Sequence, residues 1–193
     1  LNAGDPKKAL RNMKALIVRL SNSSDQIKFN LRDQAMKDLV IFYGETEQVE
    51  DAVQFYTERQ GKNKSLENLR LLADIFRSKG RDEGAILAYK KLLAAFGESL
   101  EAPRFYLGLY ESESRLGRTD QGVKHIIAAV EKFGPTSEWA KAVPPEHKEE
   151  LKSTIETLQS EALKVAFFHH HAAQRSANKK HYDYAIRIYS ALL

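Results

Sequence analysis

Apolar residues recur at intervals of three and four positions on both sides of short turns, which predicts pairs of antiparallel α-helices. The segment from Ala85 to Leu93 returns near the end of the chain as Ala185 to Leu193, with Ala-Ile and Tyr in the same register. Weaker copies begin at Ala52 and Gly122. A helix pair that cannot bury its own apolar face is stabilised by stacking on the next pair. The pattern therefore predicts an all-α solenoid.

Turn and packing residues recur with the same period. Gly80 and Gly117 fall between the helices of the two best copies, and glycine ends a helix in the left-handed conformation without a side-chain penalty. Asp82 and Asp120 follow these turns and are predicted to cap the second helix of each pair. The second helices share a small residue near their start, which lets two helix axes approach closely. These small residues are Ala52, Ala85, Gly122 and Ala185.

A departure from the period follows the third copy. No helix breaker interrupts the run from Glu146 to Asn178, which predicts one helix of roughly 33 residues and about 50 Å. Its apolar stripe consists of Leu151, Ile155, Leu158, Ala162 and Val165. The favoured interpretation is an elongated repeat helix packed along its neighbour. The alternative is a docking helix or hinge, through which copies of the chain could oligomerise.

The series from Leu66 to Gly97 resembles the tetratricopeptide repeat, which has a unit of roughly 34 residues with a glycine turn. Residues 103–135 share most of that pattern, residues 33–60 share part of it, and residues 166–193 share it in the second helix alone. This resemblance implies a right-handed superhelical solenoid of antiparallel helix pairs. Residues 31–43, 134–139 and 166–189 also look similar to bacterial envelope repeat proteins associated with gliding-type motility machinery.

The resemblance divides the chain into three predicted domains. Residues 1–24 form an N-terminal helix or part repeat, and residues 25–135 form tetratricopeptide-like helix pairs. Residues 136–193 contain an irregular linker, the long helix and a final pair. The apolar Leu192 and Leu193 have nothing after them to pack against, and this predicts that further repeats follow in a longer protein.

The repeat family binds its ligands on the first helix of each pair, so the resemblance implies a protein or peptide partner in a concave groove. The recurring Ala-Ile-x-x-Tyr segment of the second helix is then core. The first-helix positions carried over as partner-binding candidates are Lys37, Arg70, Asp74, Arg77, Arg104, Glu111, His170 and Gln174. Phe167 lies on the same predicted face. The arginines suit carboxylates, since a guanidinium group binds them bidentately.

Composition narrows the partner class. The 193 residues are 42% hydrophobic and 29% charged, and no run of about 18 apolar residues is available for a membrane span. The net charge of +4 reflects a near balance of 30 basic and 26 acidic residues, without a basic stripe interleaved with aromatics. Nucleic acid is therefore not predicted as a partner. The absence of cysteine leaves the compartment open, while the envelope resemblance favours the periplasm or cell envelope over the cytoplasm.

Candidate chemistry is sparse. The triplet from His169 to His171 cannot face one metal ion, because consecutive helical residues point about 100° apart, and none has a histidine or acidic residue four positions later. Surface or groove histidines are predicted instead. The segment from Gly117 to Lys124 lacks the Gly-Lys-Ser/Thr ending of a phosphate-binding loop and is predicted to be an inter-helix turn. No catalytic motif, metal site or cofactor is predicted.

These observations favour a non-catalytic scaffold for protein-protein interaction, which the envelope resemblance would place in a bacterial cell-envelope complex. One alternative is the regulatory or recruiting domain of a larger enzyme. Another is a cell-wall glycan-binding module, which requires exposed aromatic rings. The rings concerned are Tyr106, Tyr110, Trp139 and Phe167.

Overall fold

The computed structural model describes residues 5–21 and 26–193, and every regular element in these ranges is helical. The all-α prediction is confirmed for this part of the chain. The end of the predicted N-terminal domain lies outside the described residues. The helices are α1 (Pro6–Leu20), α2 (Gln26–Thr46), α3 (Val49–Arg59), α4 (Lys62–Ser78), α5 (Asp82–Phe96), α6 (Ala102–Arg115), α7 (Thr119–Lys132), α8 (Glu138–Ala142), α9 (Lys148–Ser176) and α10 (Lys179–Leu192), with a 3-10 turn at Pro145–His147.

Packing divides the chain into two compact units, residues 1–92 and 93–193, with the boundary inside α5. The predicted domain limits after residues 24 and 135 stay predictions. None of the described helices combines the length and the apolar character that crossing a membrane would require.

In the first unit, α2 packs against α1 and α4, and α3 packs against α4. Tyr56 is fully buried, and its hydroxyl donates to the carbonyl oxygen of Met36 at 2.9 Å. Tyr43 is equally buried and donates to the Asp51 carboxylate at 2.9 Å, which also accepts from Lys14 at 2.6 Å. Each buried hydroxyl thus has a partner, as burial of a polar group requires.

In the second unit, the helices pack in adjacent pairs, α6 with α7 and α9 with α10. The second pair lies against the first, because α7 contacts both α9 and α10 and α6 contacts α9. Local sequence fixes where these helices begin. Pro103 lies in the first turn of α6, where its missing N–H is not needed, and the Asn178 side chain accepts from the Lys180 amide to cap α10.

The glycine turns are confirmed, since Gly80 and Gly117 have φ angles of 67° and 74°. The capping prediction is wrong for Asp120. Arg118 precedes α7 without a side-chain cap, and the Asp120 carboxylate instead accepts hydrogen bonds from α10. Asp82 is itself the first residue of α5, so it stands one position past the cap.

The predicted long helix is confirmed as α9, which has 29 residues. It begins two residues later than expected, because Pro145–His147 forms a 3-10 turn. Its apolar stripe faces the interior: Leu151 is half-buried, and the other members are buried. The buried members are Ile155, Leu158, Ala162 and Val165. This burial favours the packed-helix interpretation, so oligomerisation through α9 would have to use another of its faces.

Candidate functional site

The most distinctive surface of the second unit is formed by exposed or half-buried residues on α9 and α10. On α9 they follow each other at intervals of three and four, and so do those on α10, which places each set on one side of its helix. We call this surface the α9–α10 face. Its residues are Phe167, His170 and Gln174 of α9 and Tyr182, Ile186 and Tyr189 of α10.

Aromatic contacts join the two helices across this face. The rings of Phe167 and Tyr189 meet edge to face, with centroids 6.0 Å apart. The His170 ring lies 6.2 Å from the rings of both Tyr182 and Tyr189. Edge-to-face contacts are a favoured arrangement of aromatic rings, so the pairs that Tyr189 forms with Phe167 and His170 stabilise the packing of α9 against α10.

Hydrogen bonds orient His170 within the face. The Gln174 amide nitrogen donates to Nε2 of His170 at 3.4 Å, and the Tyr189 hydroxyl lies 3.5 Å from Nδ1 of the same ring. The structure therefore brings together two predicted site residues, His170 and Gln174. It adds Tyr182, and also Ile186 and Tyr189, which belong to the Ala-Ile-x-x-Tyr segment that the repeat pattern assigned to the core. That assignment is wrong for Ile186, which is 60% exposed.

The other predicted residues of the second unit are Arg104 and Glu111, which are both exposed on α6. They are seven residues apart, two helical turns, and so share one side of the helix. Because α6 contacts α9, these charges belong to the same packed group of helices as the α9–α10 face.

The predicted residues of the first unit form a mixed-charge surface. Arg70, Asp74 and Arg77 follow one side of α4, and Lys37 is exposed on the neighbouring α2. An Arg77 guanidinium nitrogen lies 3.6 Å from the Asp74 carboxylate, which also accepts from the Tyr89 hydroxyl at 3.2 Å. Lys37 is exposed, whereas the other three residues are half-buried. Their role in binding stays a prediction.

His169 differs from the other two histidines of the triplet, because it is buried with 1% of its surface exposed. Its Nδ1 lies 2.8 Å from Nδ1 of His181 on α10, so one ring donates to the other, and its ring centroid is 5.0 Å from that of Tyr184. Burial, with a contribution from the charge of His181, lowers the pKa of His169 to about 4. The prediction of surface or groove histidines is wrong for His169.

A polar cleft of about 560 Å³ adjoins the α6–α7 turn. In it, the Asp120 carboxylate accepts from Lys180 Nζ at 2.7 Å and from the Tyr184 hydroxyl at 2.6 Å. The Lys180 and Tyr184 hydrogen bonds hold the pKa of Asp120 below its usual value. The ionised carboxylate thus links α7 to α10. With φ of 74° at Gly117, the segment is an inter-helix turn as predicted.

The structure also bears on two other kinds of site, a metal site and a glycan-binding site. Across residues 5–21 and 26–193, no three His, Asp or Glu side chains lie close enough together to hold a metal ion. Among the aromatic residues considered for glycan binding, Trp139 is buried, packs edge-on against Phe133 and donates from Nε1 to the Glu98 carbonyl oxygen at 3.2 Å. Trp139 is therefore not available as a stacking surface for a sugar, whereas Phe167 is exposed.

Comparison with known proteins returned no matching family model, no matching curated protein and no matching solved structure.

Proposed function

We propose that this chain is a non-catalytic, tetratricopeptide-like scaffold that binds a protein or peptide on the first helices of its pairs. The proposal includes the right-handed superhelical arrangement that is typical of such repeats. It is supported by the in-register return of the Ala-Ile-x-x-Tyr segment, by the left-handed Gly80 and Gly117 turns, and by the pairwise packing of α6 with α7 and α9 with α10.

The observation that carries the proposal is the α9–α10 face. His170 and Gln174 occupy the positions that the repeat family uses for ligands, and exposed or half-buried apolar side chains surround them. Aromatic anchors beside a few oriented polar groups are the combination that dominates the energetics of protein interfaces. Phe167 exposes apolar surface to water, so a partner that buries this side chain gains free energy of binding.

Site-specific photo-crosslinking tests the proposal. A photoreactive amino acid is placed at Gln174 in one variant and at Lys124 in a control, which is exposed on α7. Both are expressed in the source cells and irradiated. We expect one or a few discrete cross-linked proteins from position 174 and none of them from position 124. Equal cross-linking at the two positions, or none at 174, would contradict the proposal.

Charge reversal supplies an independent readout. Arg104 is exposed on α6, so Arg104→Glu should leave the helical content unchanged while reducing recovery of the partner identified by cross-linking. The matched control is Lys124→Glu, which makes the same change of charge on α7. If the partner binds both variants as tightly as it binds the unmodified chain, it does not use the predicted face of α6.

A further inference from the structure

The positive charge of the protein is concentrated on α1. This helix carries five cations and no carboxylate, whereas every other described helix contains at least one Asp or Glu. The cations are Lys7, Lys8, Arg11, Lys14 and Arg19. Their charge exceeds the net charge of +4 for the whole chain, so the remaining residues are together nearly neutral. Charge of one sign on one helix attracts anions to that part of the surface.

Most of these cations lie away from the core. Leu10 and Ile17 are buried on the inner side of α1, which packs against α2. Four exposed residues follow each other at intervals of three and four, so they share the outer side of the helix. We call this outer side the basic α1 face. Its residues are Lys8, Arg11, Ala15 and Arg19.

The fold itself does little to neutralise this charge. Among residues 5–21 and 26–193, Lys14 is the one cation of α1 that forms an ion pair, with Asp51 at 2.6 Å. Lys7 and Lys8 also occupy the first turn of α1, next to the positive end of the helix dipole, where cations are disfavoured. An anionic surface that approaches α1 relieves both kinds of repulsion, so the charge favours a partner of that chemistry.

We propose that the basic α1 face docks on a lipid bilayer that contains anionic headgroups. A cluster of Lys and Arg residues on an amphipathic helix is attracted to such a surface. Leu16 and Val18 are also exposed, next to the face, and a bilayer interface holds apolar acyl chains directly beneath its charged headgroups. An acidic peptide would match the charge alone. Docking of this kind is independent of the proposed function, because it uses a different surface and a different class of partner.

The packing of α1 determines how it can meet a bilayer. Its apolar inner side is occupied by the fold, since Leu10 and Ile17 are buried there, and is not available for insertion between lipids. The outer side therefore meets the headgroups while the fold stays intact, and the attraction is mainly electrostatic. Salt screens charges at an exposed surface, so binding should be reversible and should weaken as the salt concentration rises.

Co-sedimentation with lipid vesicles tests the proposal on the complete chain. Vesicles of phosphatidylcholine alone are compared with vesicles made of equal parts of phosphatidylcholine and phosphatidylglycerol, over a range of lipid concentrations. We expect the chain to bind the anionic vesicles at least about tenfold more tightly than the neutral ones. Raising the salt concentration from about 0.05 M to about 0.5 M should release the chain from the anionic vesicles.

Charge reversal locates the docking surface. Lys8→Glu combined with Arg19→Glu should weaken binding to the anionic vesicles at least about tenfold, because two attractions become repulsions. The neutral pair Lys8→Gln and Arg19→Gln should give an intermediate loss. The matched control is Lys152→Glu with Arg175→Glu, which makes the same change of charge at exposed positions of α9, again with the arginine in the last turn. Circular dichroism checks that all three variants remain helical.

The outcomes decide between a bilayer and other partners. Equal binding to neutral and anionic vesicles would overturn the proposal, and so would equal losses in the α1 variant and the α9 control, because the charge of α1 would then not be what holds the chain. If a soluble glutamate-rich peptide binds the chain while the anionic vesicles do not, the partner of α1 is an acidic polypeptide and the proposal is wrong. Cross-linking at Gln174 tests the proposed function separately from all of these results.

Discussion

His169 shows how burial changes the chemistry of one residue. Its ring lies between α9 and α10, pairs through Nδ1 with His181, and leaves Nε2 without a hydrogen-bond partner among the described residues. A protonated ring at this position would lose water and face a second histidine, so the neutral form is favoured and the pKa falls to about 4. His169 is therefore a neutral core residue near pH 7.

This shift gives a pH dependence of stability with a definite sign. An unfolded histidine takes up a proton near pH 6.5, whereas folded His169 does so only near pH 4. The free energy of unfolding should thus fall as the pH decreases from 6.5 to 4, by up to about 3 kcal/mol from this residue. We expect His169→Phe, which cannot titrate, to reduce this decline in urea unfolding measured at pH 7, 5.5 and 4.5.

The control for this prediction is His171→Phe, because His171 is exposed on the same helix and its replacement leaves the buried pair intact. Its pH dependence should follow that of the unmodified chain. If His169→Phe loses stability between pH 6.5 and 4 as steeply as the control does, His169 is not the group that takes up the proton.

Residue-level properties differ in how far the sequence predicts them. Gly80 and Gly117 were predicted correctly as left-handed turns, because tolerance of positive φ belongs to glycine itself. The pairing of His169 with His181 depends instead on where α9 ends and how α10 returns, which residue spacing within one helix does not specify. For the same reason, Asp120 was predicted as a cap when its partners lie on α10.

At the level of elements, α9 ends at a strained position. Ala177 follows its last residue with φ of 51°, in the left-handed region that disfavours a Cβ atom. Glycine adopts this conformation without that penalty, so Ala177→Gly should raise the free energy of unfolding by about 1 kcal/mol. Arg175→Gly is the matched control. It places glycine inside α9, where glycine should lower the free energy of unfolding by about 1 kcal/mol. Urea denaturation measures both, and destabilisation by Ala177→Gly would contradict the assigned turn.

The approach of α6 to α7 depends on Gly122. A Cβ atom there would lie 3.0 Å from Ser114 Oγ and 3.2 Å from the Tyr110 carbonyl oxygen, which belongs to the backbone and cannot move aside. We expect Gly122→Val to lower the free energy of unfolding by about 1 to 3 kcal/mol. Gln121→Val is the control, because it introduces valine at the adjacent, exposed position and should change the free energy of unfolding much less. Equal stability of the two variants would mean that the helices have room to separate.

For the molecule as a whole, the sequence predicted the class of fold well and the exposed surface poorly. Spacing by three and four specifies helices and their buried sides, because burial of apolar area drives both. It does not specify which members of a repeated apolar position are covered. The repeat pattern treats Ile86 and Ile186 alike, yet only Ile86 is covered. The unit boundary inside α5 was likewise not predicted, since the periodic pattern continues through it.

The two compact units are expected to unfold separately, and Trp139 makes this measurable. It is the single tryptophan of the chain and is buried in the second unit, so its fluorescence reports on residues 93–193. Leu158 is buried in the same unit, and Leu158→Ala should lower the free energy of the transition seen by Trp139 by about 2 to 5 kcal/mol. The midpoint of urea unfolding, followed by tryptophan fluorescence, measures this change.

Leu72→Ala is the matched variant in the first unit, where Leu72 is fully buried. It should destabilise the chain when unfolding is followed by circular dichroism, because most helices of residues 1–92 depend on that core. It should leave the Trp139 transition where it is in the unmodified chain. If Leu72→Ala shifts the Trp139 transition as far as Leu158→Ala does, the two units unfold together in one cooperative transition. The division at residue 92 would then be a feature of the packing alone.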